Sequence, residues 1–353
     1  MGGPFETPAD SGAAGSGSAA PAALTLVITT FNRSGYLRGL LDSVAALEPA
    51  PERIVVVDNA STDDTQDVIT AAAARLSVPL VNLRLPVNAG GAGGFAAGVE
   101  RALDEGAAWL WLMDDDVVVL PGAVAALAKW TGTYQCIHGR RLDDSGRPFF
   151  WQHRFLPFLG IHVPVRGNVF QDSPVFETNV GCFEGMLISA ETARRIGLPD
   201  ARFFINGDDE MYGWLASRIT DVVYVNDFVL QKVRPQKQID LGIRHLNDSS
   251  DLSRFYSMRN RGYTAQYLQA HGRYHRAGFA LGTLLTAAKE MLRLLAVERR
   301  ISGAGSLWRG WRESRIIRRD ASWQPMPALQ ALSSTQAPSS TEAPSPTDRK
   351  DAV

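Results

Sequence analysis

Residues 109–122 read WLWLMDDDVVVLPG, a mostly apolar run that meets three consecutive aspartates and then returns to valine. The apolar half has the length and composition of a buried strand. Asp114, Asp115 and Asp116 repel one another at its end, so the stretch calls for a positive partner. Three runs of the same kind lie upstream: LTLVITT at 24–30, RIVVVD at 53–58 and PLVNLRL at 79–85. Short, continuously apolar runs are typical of parallel strands buried on both faces. Segments of helical character separate them at roughly 34–47, 62–76 and 92–105, and a fourth follows at 121–129. NASTDDT (59–65) opens the second with a capping side chain, Ser61 or Thr62, and with acids suited to a helix N-terminus.

Four βα units in a row predict an α/β fold, a doubly wound, Rossmann-like and mostly parallel sheet flanked by helices with right-handed crossovers. In such sheets ligands bind beyond the carboxyl ends of the strands, where the strand order reverses. With the common order 3-2-1-4, TTFNR (29–33) and MDDD (113–116) face one crevice, and Asp58 and Asn59 lie one strand away.

The chain is 353 residues long and 45% hydrophobic, enough for one large domain or two small ones. A net charge of −1 implies no global polyelectrolyte partner. Two cysteines, Cys136 and Cys182, make no disulfide framework, and a reduced intracellular setting is expected. No basic region followed by an apolar core marks a signal peptide. AGFALGTLLTAAKEMLRLLA (277–296) meets Lys289, Glu290 and Arg293 too soon to span a membrane. Residues 1–22 and 323–353 are rich in Ser, Ala, Pro and Gly and read as disordered tails. No internal repeat lies between them. The division expected is a catalytic domain over 23–250 and a basic helical region over 251–322.

Within the domain, 140–178 is aromatic and irregular, as in hairpins or a substrate-side excursion. CFEGMLIS (182–189) reads as a strand, AETARRIG (190–197) as a short helix, and FFINGDDEMYGWLAS (203–217) as a loop entering a helix. DVVYVNDFVL (221–230) is a last strand or a pair of short ones.

Side chains alternate along an extended chain, so Asp114 and Asp116 can point the same way. Two converging carboxylates suit a hard cation such as Mg²⁺ or Mn²⁺ whose other ligands are substrate phosphates and water. The bland alternative is an acidic turn capping the helix near Pro121. Thr29, Thr30, Asn32 and Arg33 offer hydroxyls, an amide and a cation to a diphosphate or ribose, or simply cap their helix. Asp58 caps likewise or reaches a base or sugar hydroxyl. NAGGAGGFAAG (88–98) contains Gly91-x-Gly93-x-x-Ala96, a dinucleotide-binding fingerprint with Asp114 about 20 residues on, which makes an NAD-dependent oxidoreductase a rival. That fingerprint normally follows the first strand, whereas here it follows the third. Asp208, Asp209 and Glu210 precede a helix, where a carboxylate serves as a general base or merely meets the helix dipole. From Arg254 to Asp320 there are 14 Lys and Arg against 4 Asp and Glu. Amphipathic basic helices with tryptophans fit an anionic membrane surface, and no nucleic-acid module is recognisable.

Taken in order, LVITTFNR, IVVVDNAS, NAGGAGGFAAG, WLMDDD, GCFEGMLIS and GDDEMYG resemble family 2 glycosyltransferases of the GT-A fold, over residues of about 24 to 264. With RFYSMRNRGY (254–263), the set looks most like the actinobacterial galactofuranosyltransferases that initiate cell-wall galactan; rhamnosyltransferases using dTDP-rhamnose share much of it. The resemblance implies an inverting, metal-dependent transfer from a nucleotide sugar, UDP-galactofuranose in first place, to a polyprenyl-diphosphate-linked glycan. It implies peripheral association with the cytoplasmic face of the membrane and no nucleic acid. Asp114 and Asp116 would hold Mn²⁺ or Mg²⁺, with Asp115 nearby. Thr30, Arg33, Asp58, Asn88, Gly90, Gly91 and Asp115 would contact the nucleotide sugar. Asp209, with Asp208 as the fallback, would be the general base, and Arg259 and Arg261 would lie near the acceptor diphosphate. One departure stands out: where related enzymes often place a metal-ligating histidine, NDFVLQKVRP (226–235) offers Gln231 and Lys232, and His245 lies downstream. That departure raises a non-catalytic homologue as an alternative; the intact aspartates count against it.

Overall fold

The structure, a computed structural model, describes residues 23–149, 151–234, 238–240, 245–247 and 250–329. The first half alternates as the apolar runs require: β1 (Leu24–Thr30), α1 (Ser34–Ala45), β2 (Arg53–Asp58), α2 (Thr65–Arg75), β3 (Leu80–Arg84), α3 (Gly90–Asp104), β4 (Trp109–Asp114), β5 (Val117–Val119) and α4 (Ala123–Ala128). The second half mixes short strands with helices: β6 (Cys136–Leu142), β7 (Pro148–Phe149), β8 (His153–Leu156), β9 (Ile161–Pro164), β10 (Val175–Thr178), β11 (Met186–Ser189), α5 (Ala190–Ile196), α6 (Asp208–Ala216), β12 (Val222–Lys232), β13 (Gln238–Asp240) and β14 (His245–Asn247). Four helices follow among the described residues: α7 (Asp251–Arg259), α8 (Arg261–Ala270), α9 (Arg276–Leu292), which runs on into one π-helical turn, and α10 (Ala304–Arg319).

The main sheet runs β10-β12-β6-β11-β4-β1-β2-β3. Its right half is the expected 3-2-1-4, with β1 parallel to both β2 and β4. Register places Thr29 beside Asp114 and Thr30 beside Asp58, so TTFNR and MDDD do share a crevice. β11 runs antiparallel between β4 and β6, and β12 then lies parallel to β6. The far end of β12 pairs antiparallel with β5, Lys232 opposite Val117 and Gln231 opposite Val118. Since β5 begins one residue after the aspartate triplet, this pairing carries Lys232 back to the crevice.

Continuous apolar strands bury both faces, and the two faces make two cores. Val27, Val55, Val57, Leu110 and Leu112 pack under α3, α5 and α6, whereas Leu26, Ile28, Ile54, Val56, Trp111 and Met113 pack under α1, α2 and α4. Successive β1 residues therefore serve opposite cores, the period of two that a strand imposes. Tyr263, Ala265, Tyr267 and Leu268 of α8 enter the first core, so this helix is built into the sheet domain.

Two local readings need correction, and the rival reading of the glycine-rich stretch is answered. Only Met186–Ser189 of CFEGMLIS form a strand; Gly185 adopts φ 101 and its amide donates to Phe183, which makes Cys182–Glu184 a loop. The glycine-rich stretch is helical, and its glycines let α3 approach the sheet. A Cβ at Gly94 would lie 2.4 Å from Thr29 Cγ2, and one at Gly98 would lie 2.5 Å from Val27 Cγ1. Strand packing thus falls to Gly94 and Gly98, whereas Gly91 and Gly93 of the Gly-x-Gly spacing lie in the first turn of α3, after the third strand, and form no dinucleotide loop after the first. The packed chain also runs on past the expected boundary at 322: Trp323 meets the Tyr267 ring edge-on, and the Leu329 amide donates to Arg194. Residues 1–22 and 330–353 of the expected tails lie outside the described residues. Cys136 and Cys182 are free and buried. Among the described residues no helix is long and apolar enough to cross a membrane.

Candidate active site

A cavity of about 750 Å³ opens at the carboxyl ends of β1 and β4. Thr30, Arg33, Asn88, Gly90, Gly91, Asp114, Asp115, Asp116, Asp208 and Asp209 all line it. So do Asn59, Phe183, Glu184, Phe204, Asn206, Lys232 and Arg234, none of which the sequence had singled out as a ligand contact.

The triplet divides its work. Asp115 is buried and accepts from Thr30 Oγ1 at 2.6 Å and from Arg33 Nη1 at 3.0 Å. Arg33 Nη1 also lies 3.5 Å from Asp116. Asp114 and Asp116 converge instead with Glu184, and ligand oxygens of the three lie within 4.8 Å of one another. Burial first, then the neighbouring Glu184, Asp116 and Asp115, push Asp114 well above the ordinary carboxylate range. An all-oxygen set of this kind suits a hard divalent cation.

Glu184 has two further partners, Arg141 Nη1 at 2.7 Å and Lys232 Nζ at 2.5 Å. Burial opposes ionisation, but the two cations prevail and hold Glu184 below the ordinary range. Lys232 therefore answers part of the puzzle left by the missing histidine: the strand end delivers a cation that holds a third carboxylate beside the first two. Gln231 is the strand residue paired with Val118 and does not line the cavity. The side chain of His245 lies outside the described residues.

Across the cavity, Phe204, Asn206 and Gly207 all take positive φ, and the turn they form delivers Asp208, Asp209 and Glu210 as the first turn of α6. Asn260, at the junction of α7 and α8, fastens that turn: its Nδ2 donates to the carbonyls of Phe203, Ile205 and Asn206 at 2.8–2.9 Å. Burial, then the charge of Glu210, raises Asp209 to about 7. Burial, then the charge of Asp209, pushes Asp208 well above the ordinary carboxylate range as well. Burial opposes ionisation of Glu210, but His162, whose Nδ1 is 2.9 Å away, holds it below the ordinary carboxylate range. One carboxyl poised near neutrality beside an ionised one is the pattern of acid–base sites.

Asn59 shapes the glycine-rich wall. Its Oδ1 accepts from the Ala89 amide and its Nδ2 donates to the Gly90 carbonyl, while Asn88 Oδ1 takes the Gly90 amide. Three expected contacts fall elsewhere. Asp58 is fully buried and does not line the cavity; it accepts from the Ser61 amide and Gln66 and lies 3.6 Å from Arg84. Arg261 is buried against carbonyls of Leu159, Gly160 and Phe279 and stacks on the Phe279 ring. Burial lowers it to about 10. Arg259 donates to the Arg202 carbonyl and Tyr263 and faces Glu313. Both arginines brace helices in this structure, and neither reaches the cavity. Of the missed residues, Glu184 did leave a signal, a lone carboxylate inside an apolar run.

Residues 25–191 match glycosyl transferase family 2. Over 250 residues the chain is 31% identical to a galactofuranosyltransferase of Mycobacterium tuberculosis, GlfT1, covering 67% of this chain and 80% of that protein. It is 28% identical over 255 residues to the GlfT1 of Mycolicibacterium smegmatis, with 67% and 81% covered. Among solved structures, Staphylococcus aureus TarS 1-349 aligns over 84% of this chain and 90% of its own, at 13% identity and a TM-score of 0.48. The chain belongs to glycosyltransferase family 2. It is a nucleotide-sugar glycosyltransferase with a large, mostly parallel α/β sheet flanked by helices, and the oxidoreductase reading of the glycine-rich stretch is set aside.

Proposed function

We propose that this enzyme transfers galactofuranose from UDP-galactofuranose, with inversion, to a lipid-linked glycan at the cytoplasmic face of the cell membrane. One observation carries the reading: the convergent carboxylates of Asp114, Asp116 and Glu184 and the near-neutral Asp209 line the same cavity. Similarity to mycobacterial galactofuranosyltransferases supports the donor sugar.

In this mechanism Asp209 accepts the proton of an acceptor hydroxyl as its oxygen bonds to the anomeric carbon and the bond to the diphosphate breaks. Asp208 is the alternative base. Asp114, Asp116 and Glu184 would hold Mn²⁺ or Mg²⁺. The chemistry supplied by such a cation is Lewis-acid stabilisation of charge on the departing diphosphate. Arg33, Lys232 and Arg234 line the cavity as fixed cations for the same charge. Thr30, Asn59, Asn88 and the exposed backbone at Gly90 and Gly91 form the wall for the nucleotide and sugar.

A donor screen tests the proposal: UDP-galactofuranose, dTDP-rhamnose and UDP-glucose with Mn²⁺ and a lipid-linked disaccharide acceptor, products resolved by mass spectrometry. Transfer of galactofuranose with β-face inversion of the α-linked donor is the expected result. Rhamnose transfer alone would overturn the sugar assignment, and loss of nothing on chelation with EDTA would overturn the metal.

A further inference from the structure

Eight of the fourteen large exposed apolar side chains among the described residues fall between Leu281 and Ile316. On α9 they recur as Leu281, Leu284, Leu285 and Leu292, the spacing of one helix face. Between α9 and α10 runs a groove of about 640 Å³, floored by Met258 and Phe279 and walled by Leu284, Leu307 and Trp308. Five arginines line it, Arg261, Arg276, Arg315, Arg318 and Arg319, and among the described residues no carboxylate does.

The groove is polarised along its length. Arg318 near the end of α10 bonds the Tyr274 hydroxyl just before α9, so Arg276, Arg318 and Arg319 gather at one end. Met291 and Ala304 line the other, which is apolar. Arg276 and Met291 are 15 helical rises apart, about 22 Å, close to the length of an acyl chain. Cations at one end of an apolar slot are the complement of an anionic amphiphile.

Other occupants fit less well. Residues 330–353 carry only Leu332 and Val353 as large apolar residues, too little to fill the slot. A second copy of the same face would set arginines against arginines, since 276–319 holds 10 Lys and Arg against 3 Asp and Glu.

We infer that the α9–α10 groove is a binding site for an anionic phospholipid of the membrane, its phosphate among Arg276, Arg315, Arg318 and Arg319 and one acyl chain along Leu284, Leu307 and Trp308. The site deepens the membrane placement proposed above but does not depend on the sugar transferred. It also gives the enzyme a defined face towards the bilayer, since the exposed leucines of α9 flank the slot.

The test is co-sedimentation of the full chain with vesicles of phosphatidylcholine, alone or mixed with phosphatidylglycerol, without donor or metal. Binding only to the anionic vesicles is expected. It should fall about 100-fold when Arg315, Arg318 and Arg319 become Gln, as for three cations at an anionic surface. Ala287→Trp, which fills the slot and leaves every charge in place, should weaken binding at least as clearly as Trp308→Ser. Circular dichroism melts and donor-induced stabilisation of each variant establish that the fold is intact. Unchanged binding in Ala287→Trp would reduce the site to surface adsorption and overturn the groove. Equal binding to neutral vesicles, displacement by glycerol phosphate, or a dimer that Trp308→Ser dissolves without vesicle binding would overturn it too. A preference for polyprenyl phosphate over phosphatidylglycerol would assign the slot to the acceptor instead.

Discussion

Lys232 Nζ and Glu184 Oε2 lie 2.5 Å apart, joining the end of β12 to the loop before β11. The pair sits against Asp114 and Asp116, so Glu184 faces two protein cations on one side and two carboxylates on the other. Nothing on β4 alone could complete the oxygen shell proposed for a divalent cation, and this pairing would supply the missing arm.

Glu184→Gln should therefore weaken Mn²⁺ binding by about 10-fold or more, the usual cost of disturbing a metal site's ligand or its support. It also leaves Arg141 and Lys232 without their carboxylate, and breaking a buried pair this way costs about 3–5 kcal/mol. The melting temperature should drop accordingly. Manganese affinity read by electron paramagnetic resonance in the absence of donor checks the first part; an affinity equal to the parent's would remove Glu184 from the shell.

For Asp209, the base role requires the deprotonated carboxylate, and burial with Glu210 nearby raises it to about 7. Transfer under kcat/KM conditions should climb through that pH and level off above it. Asp209→Asn should lower kcat by about 100-fold or more, in line with loss of general base catalysis, while UDP binding is kept. Stability runs the opposite way. A raised carboxyl contributes most when protonated, below its unfolded value, and that contribution is lost as pH rises through about 7. Asp209→Asn should thus melt higher than the parent at pH 8 and not at pH 4. Full activity in the variant would pass the role to Asp208.

How much of this was legible depends on where each contact is made. The order of β1 to β4 followed from short apolar runs alternating with helices, because sequential βα units leave few topologies open. Asp114 and Asp116 stood out for the same reason, a charge cluster at a buried strand end. Glu184 showed only as a lone carboxylate inside an apolar run, since its two cations come from β6 and β12, 43 and 48 residues away. Arg261 misled in the other direction. Its sequence neighbours suggest an exposed basic helix, and only the fold reveals the Leu159 and Gly160 carbonyls that it meets. Asp58 looked like a ligand contact because it ends a strand, yet its carboxylate is spent on the turn to Ser61 and on Gln66.

Gly213 of α6 packs so closely on Gly181 that a Cβ at 213 would lie 1.9 Å from the Gly181 nitrogen. Backbone meets backbone there, and neither side can yield as a flexible side chain would. Gly213→Ala should push α6 from the Cys182–Glu184 loop and shift Asp209 relative to the carboxylate trio. Overpacking of this sort costs about 1–3 kcal/mol, and a displaced base costs rate as well. A thermal melt and kcat for the variant check both; if kcat holds while stability falls, α6 tolerates the shift and the close approach serves packing alone.

Asn260 acts at the opposite end of the same unit. Its amide satisfies three carbonyls of the turn whose positive-φ residues, Phe204, Asn206 and Gly207, set the start of α6. Non-glycine residues in that region of backbone space persist only where surrounding contacts hold them, at about 1–3 kcal/mol each. Asn260→Ala removes those donors and leaves the carbonyls to water or to no partner. The turn should loosen, with kcat down by about 10-fold; donor KM should change less, because the glycine-rich wall meets the turn through the Ala92 amide and Phe204 carbonyl and keeps its own bonds to Asn59 and Asn88. Asn260→Asp, which accepts where Asn donates, should be worse than alanine. Hydrogen exchange should report the same change locally, with faster exchange at the amides of 204–210 and none in β1 or β4. A rise in KM without any fall in kcat would mean that the turn shapes donor binding and does not hold the base.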